Sequence, residues 1–344
     1  MDLELSDEQR WLSESVETLL AREAEPERLW ARLVDFGALS VGGEDGLGAV
    51  ELCLIASALG AHLAPVPYLG SAAVRFAAGP LAAELGEEAV ALAVLEPGAS
   101  WAAAPSLTEL TPAAGGHVVS GRKTAVEHAG SVSRLAVFAA APEGPVLAMV
   151  DAAAPEVALV LQPAFDSTAP MHAVELVDAP VLAEPLGGEA ISRLATIGAL
   201  LAAAEAVGAA GRMLDDACGY AAERRQFGRT IGSFQALRHL LADMYVRQAS
   251  SWSSVLYAAA ALDEDAEDAQ RTVSIAKAYV SRAAREVAHG AMQVFGGIAV
   301  TAEHPAHRFL RRIVVRERQF GDAAHHERAL GRALASAAVP EPVG

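Results

Sequence analysis

Three groups of residues in this sequence are of kinds that do chemistry. The first lies in residues 223–235, Glu-Arg-Arg-Gln-Phe-Gly-Arg-Thr-Ile-Gly-Ser-Phe-Gln. Apolar residues at helical spacing precede it and resume over 236–245. A helix is therefore expected to end near Gln226, a turn to carry Gly228 and Gly232, and a second helix to start near Ser233 as N-cap. Such a turn sets Arg224, Arg225 and Arg229 beside backbone donors, a combination suited to a polyphosphate. The plainer account of the same residues is a helix hairpin whose arginines cap the first helix. The second group, Gln293-Val-Phe-Gly-Gly-Ile-Ala-Val-Thr-Ala-Glu-His-Pro305, follows a long helical pattern over 273–292. Gly296-Gly297 there serves as a helix C-cap, as a close approach of backbone to ligand, or as both.

The third group is scattered. Asp322, Glu317 and Glu205 are the carboxylates nearest the other motifs, each expected to be a solvated or capping charge unless geometry makes one a base, and Asp322 is the first candidate. His304, His307, His325 and His326 raise the question of a metal, but Pro305 breaks their helical face and no supporting pattern accompanies them, so surface histidines are the better account. Arg308, Arg311, Arg312 and Arg316 recur at helical spacing. They read either as a solvated face paired with Glu317 or Glu327, or as a contact to a neighbour's acidic surface or cofactor.

The elements that must position these residues fall into three blocks. Residues 1–86 read as an N-terminal helical domain: Ser6-Asp-Glu-Gln9 is a capping box, and Leu12, Val16, Leu19 and Leu20 form an amphipathic stripe. Helical segments follow over 27–36 and 49–63, and Pro65 and Pro67 stop the second before another begins near Gly70. Residues 87–187 change texture, with β-branched runs at 118–119, 135–139, 146–150, 157–161 and 173–177 separated by turn residues. That spacing predicts a small antiparallel β-barrel or sandwich. Residues 188–344 return to long helical patterns, expected as a helical bundle. The fold class is thus mostly α with a small middle β domain.

Composition narrows the function. The 344 residues exceed one ordinary core, and 53% hydrophobic against 20% charged residues describes a well-buried globular chain. A net charge of −17 argues against nucleic acid or an anionic membrane as partner. Cys53 and Cys218 have no metal spacing, which suits a reducing compartment. The start, Met-Asp-Leu-Glu-Leu-Ser-Asp, lacks a leader pattern, and the apolar run over 194–204 is cut short by Glu205 before it could span a bilayer. A cytoplasmic protein is expected.

The motif at 223–235 followed by that at 293–305 resembles the acyl-CoA dehydrogenase family, whose C-terminal domain carries Glu-Arg-x-x-Phe-Gly, Phe-Gln, then Gln-x-x-Gly-Gly leading to Glu-x-Pro and an Arg-rich helix. The likeness extends over nearly the whole chain. It implies an N-terminal helical domain, a middle β-barrel and a C-terminal four-helix bundle. It also implies FAD as cofactor and α,β-dehydrogenation of an acyl-CoA, with each flavin shared between two subunits. On that resemblance Arg224 pairs with the FAD pyrophosphate, Phe227 and Gln235 line the same groove, Gln293 bonds the ADP portion, and Gly296 and Gly297 let the backbone approach it.

The other half of the family's site departs from the pattern. Val94-Leu-Glu-Pro-Gly-Ala-Ser-Trp101 resembles Thr-Glu-Pro-x-x-Gly-Ser-Asp with Leu95 for the threonine. Ala125 stands where a tryptophan packs on the flavin, and Glu127 where a threonine bonds near it. Phe320 falls at the position of the catalytic glutamate, and Gly198-Ala199 at the alternative one. Three readings follow. In the first, the chain is a subunit that completes the FAD site of an unlike acyl-CoA dehydrogenase subunit and has no base of its own, as in branches acting on bulky thioesters such as those of steroids. In the second it is a self-sufficient homomeric enzyme with Asp322 as displaced base. In the third it is a non-redox protein that keeps the fold for assembly or acyl-CoA binding.

Overall fold

The computed structural model describes residues 4–23, 25–41, 46–79, 85–101 and 107–337. Four helices open the chain: α1 (Asp7–Arg22), α2 (Pro26–Asp35), α3 (Ala49–Ala61) and α4 (Tyr68–Ala78). The capping box starts α1 as expected, with Ser6 accepting from the Gln9 N–H and the Gln9 side chain accepting from the Ser6 N–H. Its stripe is the face that buries Leu12, Val16 and Leu20.

Seven strands follow: β1 (Val90–Ala93), β2 (Glu109–Ala113), β3 (Gly116–Glu127), β4 (Arg134–Ala141), β5 (Gly144–Asp151), β6 (Val157–Gln162) and β7 (Met171–Pro180). They form one sheet in the order β1-β4-β2-β3-β7-β6, with β5 also on β4. The pairing is mixed, because β1 and β2 both meet β4 in parallel. A bridge from Val150 to Val181 joins β5 to the chain just past β7 and curls the sheet towards a barrel. Its interior is a separate core that includes Val119, Val126, Leu135, Val137, Val150 and Val174.

The remaining helices are α5 (Gly188–Glu223), α6 (Gln235–Asp263), α7 (Ala269–Phe295), α8 (Ala306–Arg318) and α9 (Ala323–Ala337). Helix α5 is long and apolar enough to cross a membrane by length and composition, but 83% of its most apolar window is buried inside the protein. It is the axis of the molecule: α3, α4, α6, α7 and α8 all pack on it. Two glycines permit the closest crossing. A Cβ on Gly208 would lie 1.8 Å from the Ser57 carbonyl oxygen, and one on Gly60 would lie 2.0 Å from that of Glu205. Helices of both ends therefore share one hydrophobic core. Asp263, at the end of α6, ties them further by accepting from the Ala49 and Val50 N–H groups (2.6 and 3.0 Å) at the start of α3.

Candidate functional site

The turn between α5 and α6 is tighter than the sequence suggests. Helix α5 ends at Glu223, and two short strands, β8 (Arg225–Gln226) and β9 (Arg229–Thr230), make a hairpin with Phe227 and Gly228 at its tip. Both tip residues have positive φ, 52° and 80°, the geometry of a two-residue hairpin turn that most side chains avoid. Phe227 is also 91% exposed. An aromatic ring held in water on strained backbone gains little within the chain, and such strain gathers at functional sites.

The start of α6 corrects one expectation. Phe234, not Ser233, is the N-cap, and the Ser233 hydroxyl donates instead to the Thr230 carbonyl (2.6 Å). No side chain caps the helix, so its first N–H groups are left for an outside acceptor. Arg229 stacks on the Phe234 ring at 4.0 Å, and Arg225 bonds the Gly228 carbonyl. Arg224 follows α5 in extended conformation, exposed, and its guanidinium makes no hydrogen bond or ion pair among the described residues. Gln235 is exposed in the first turn of α6.

The second motif reaches the same end of the bundle. Gln293 is exposed on the last turn of α7, and Gly296 ends that helix at φ 67°. A Cβ on Gly296 or Gly297 would meet nothing within 4 Å, so both face open space. An aromatic ladder fixes the two motifs together: Tyr220, one turn before Arg224, meets Phe295 edge-on at 5.6 Å, and Phe295 meets His304 at 4.5 Å. Arg224, Phe227, Gln235, Gln293, Gly296 and Gly297 thus belong to one exposed end, cationic at the hairpin and open at the glycines. These residues fit the phosphate and ADP half of a dinucleotide.

The flavin-ring side does not fit. At the junction of sheet and bundle, Phe320 (φ 57°) packs over Gly198 and meets Trp101 with ring centroids 4.8 Å apart and planes tilted by 38°. What remains is a cavity of about 30 Å³ lined by Tyr68, Trp101, Glu127, His128, Arg316 and Phe320 among others, space for a water or two and an order of magnitude below a ligand pocket. Polar groups of the sheet near this cavity are already engaged within the chain. A bulge in β3 frees the Ala125 N–H, and Gln162 accepts from it (2.9 Å) and from the Thr124 hydroxyl (3.1 Å). Buried Glu96 accepts from the Leu107 and Thr108 N–H groups and from Lys123.

Beside the cavity lies a buried charge network that the sequence did not reveal. Arg312 and Arg316, read from their spacing either as part of a solvated face or as a contact to a neighbour, are 1% and 3% exposed. Arg312 pairs with Asp166 and Glu205 and donates to the Thr168 hydroxyl (2.6 Å). Arg316 pairs with Glu205 (2.7 Å) and Glu127 (2.9 Å) and donates to Gln319 (2.6 Å). Glu205 is therefore no solvated charge. Burial alone would raise the Glu127 carboxyl, but Arg316, with His128 behind it, outweighs that effect and holds it at about 2. The charge of this carboxylate is thus balanced within the chain itself. A lone Glu inside the apolar run of α5 was the one signal that could have announced such pairing.

Asp322 is placed elsewhere. It caps α9 by accepting from the His325 N–H at 2.8 Å, and that bond lowers its carboxyl below the usual range. It does not line the cavity. Among the described residues no cluster of metal-ligating side chains occurs. His326, however, is buried rather than at the surface, between Ser274 and the Phe320 carbonyl.

Comparison with known proteins agrees with this geometry. A family profile described as "Acyl-CoA dehydrogenase, C-terminal domain" matches residues 187–335. The chain is 30% identical to acyl-CoA dehydrogenase FadE27 of Mycobacterium tuberculosis over 89% of its own length and 88% of that protein. It is 39% identical to FadE34 of the same organism, a match spanning 53% of this chain and only 26% of that one. Among solved structures, one in the ChsE4-ChsE5 complex from Mycobacterium tuberculosis superposes with a TM-score of 0.86 at 26% identity, covering 99% of this chain and 100% of that one. A Tcur3481-Tcur3483 steroid ACAD variant gives 0.87 at 26% identity, covering 96% and 99%. Sequence over the full length, the fold and the two surviving motifs agree: this chain belongs to the acyl-CoA dehydrogenase family.

Proposed function

We propose that the chain is one subunit of a two-component, FAD-dependent acyl-CoA dehydrogenase, in which it grips the ADP and pyrophosphate half of a flavin seated on an unlike partner subunit of the same family. The observation that carries this is an asymmetry. The clamp is exposed, whereas the chain's own pocket is narrowed to a small cavity and the two carboxylates among its described lining, Glu127 and Glu205, are both ion-paired to Arg316. FAD is the family's cofactor; when bound it supplies the oxidant for removing hydrogen from Cα and Cβ of an acyl-CoA thioester.

The chain's own part is to bind and orient. Arg224 and the open N-terminus of α6 hold the pyrophosphate, Gln235 and Gln293 accept and donate along the ADP portion, and Gly296-Gly297 admit it close to backbone. Phe227 covers the dinucleotide from the hairpin tip. Two of the similar structures, ChsE4-ChsE5 and Tcur3481-Tcur3483, are named for two components, and the second for a steroid substrate. They support a heteromer and a bulky thioester here.

The test is the flavin content of the chain expressed alone and with candidate acyl-CoA dehydrogenase partners, read at 450 nm. The chain alone should be colourless and the right pair yellow. Arg224→Ala should weaken flavin binding in the pair by about tenfold or more, the value of one charge-assisted contact. A homomer that holds stoichiometric flavin and oxidises an acyl-CoA would overturn the proposal.

A further inference from the structure

The network around Arg312 and Arg316 has a role of its own. Five charged groups alternate in a chain, Asp166–Arg312–Glu205–Arg316–Glu127. They come from four places: the loop after β6, α8, the middle of α5, and the end of β3. Thr168 and Gln319 complete it, Gln319 donating also to Glu127 (3.3 Å). Burying so many charges carries a large desolvation cost, and each guanidinium left without its carboxylates would be strongly unfavourable. The network therefore stands only while sheet, α5 and α8 are held together. It lies beside the cavity lined by Trp101, Ala125, His128 and Phe320, and the last three have positive φ.

We propose that this network is the resident occupant of the sheet–bundle junction, an electrostatic latch. It pins the sheet to the helices in the place of a bound flavin and thioester, so that the protomer keeps its shape with no cofactor on its own sheet. This rests on the chain's own residues and family membership, not on the clamp. A latch predicts that the junction is tight without ligand and that the sheet, rather than the clamp hairpin, loosens when a guanidinium is removed.

Hydrogen exchange of the isolated full chain, followed by mass spectrometry, tests it. In Arg316→Met, peptides covering 118–127 and 164–176 should exchange at least tenfold faster than in the parent, while 224–235 is unchanged. Should Arg316→Met fail to fold, Arg316→Lys keeps the charge but loses the fork that reaches Glu205, Glu127 and Gln319 together, and the same peptides should exchange several-fold faster. Millimolar FAD or an acyl-CoA added to the parent should leave sheet exchange unaltered. Unchanged sheet protection in a folded Arg316 variant, or slowing of the parent's sheet by FAD, would overturn the latch. Failure of the clamp would look different: flavin content in the pair indifferent to Arg224→Ala.

Discussion

Replacing Gly198 tests whether Phe320 has closed the pocket by packing onto α5. An ideal Cβ at Gly198 would lie 2.3 Å from Phe320 Cε1 and 2.5 Å from Cζ, well inside contact distance. In an unobstructed helix interior Gly→Ala stabilises by roughly 1 kcal/mol, whereas forcing a methyl into a filled site costs about 1–3 kcal/mol. Gly198→Ala should therefore destabilise by about 1 kcal/mol net. Phe320→Ala, which loses a half-buried ring and its tilted contact with Trp101, should cost about 2 kcal/mol. With the ring gone the obstacle is gone, so Gly198→Ala made in the Phe320→Ala background should stabilise by up to about 1 kcal/mol. The reversal of sign, not its size, is the signature. Urea denaturation of the four proteins of the cycle, followed by far-ultraviolet circular dichroism, reads it from the midpoints. The same sign in both backgrounds would show that Phe320 does not occupy the space beside Gly198.

Other outcomes follow from the same packing and charges. Gly208→Ala, whose Cβ would meet the Ser57 carbonyl oxygen of α3 at 1.8 Å, should destabilise by about 3 kcal/mol, while Gly219→Ala on the same helix, with nothing within 4 Å, should stabilise modestly, both read by urea denaturation. Asp322→Asn should leave turnover of the reconstituted pair intact, because Asn caps a helix as well as Asp does, and Asp322→Ala should cost about 1 kcal/mol of stability; abolished turnover in Asp322→Asn would restore it as a base. Burial, helped by Lys277, lowers His326 from an ordinary 6.5 to about 4. The folded chain thus binds that proton less tightly than the unfolded one, so the contribution of His326 is complete above about pH 6.5 and lost as pH falls towards 4, amounting to about 3 kcal/mol. His326→Gln should flatten the decline of melting temperature across that window, and an unchanged decline would refute the assignment.

Much of the architecture was legible in the residues. The capping box at Ser6 and the β-branched runs marked α1 and β3 to β7 because they are local devices, satisfied by neighbours in the chain. The two motifs that carry Arg224 and Gln293 could also be read directly, because each is a contiguous stretch of residues. Less local features were misread. The parallel pairing of β1 and β2 with β4 leaves no mark on a strand's own alternation. Ser233 was the better cap by type, yet Phe234 took the position because the Ser233 hydroxyl turns back to Thr230. His326 looked like a surface histidine until Ser274 and the Phe320 carbonyl were seen to enclose it.

What the sequence by itself determined is the order of helices and strands and the family. What only the tertiary structure decided is where the charges went. Helical spacing showed that Arg312 and Arg316 share a face, but a face carries no information about what it will meet. Their partners Glu127, Asp166 and Glu205 lie more than a hundred residues away in sequence, and a guanidinium can leave water only where such distant carboxylates converge on it.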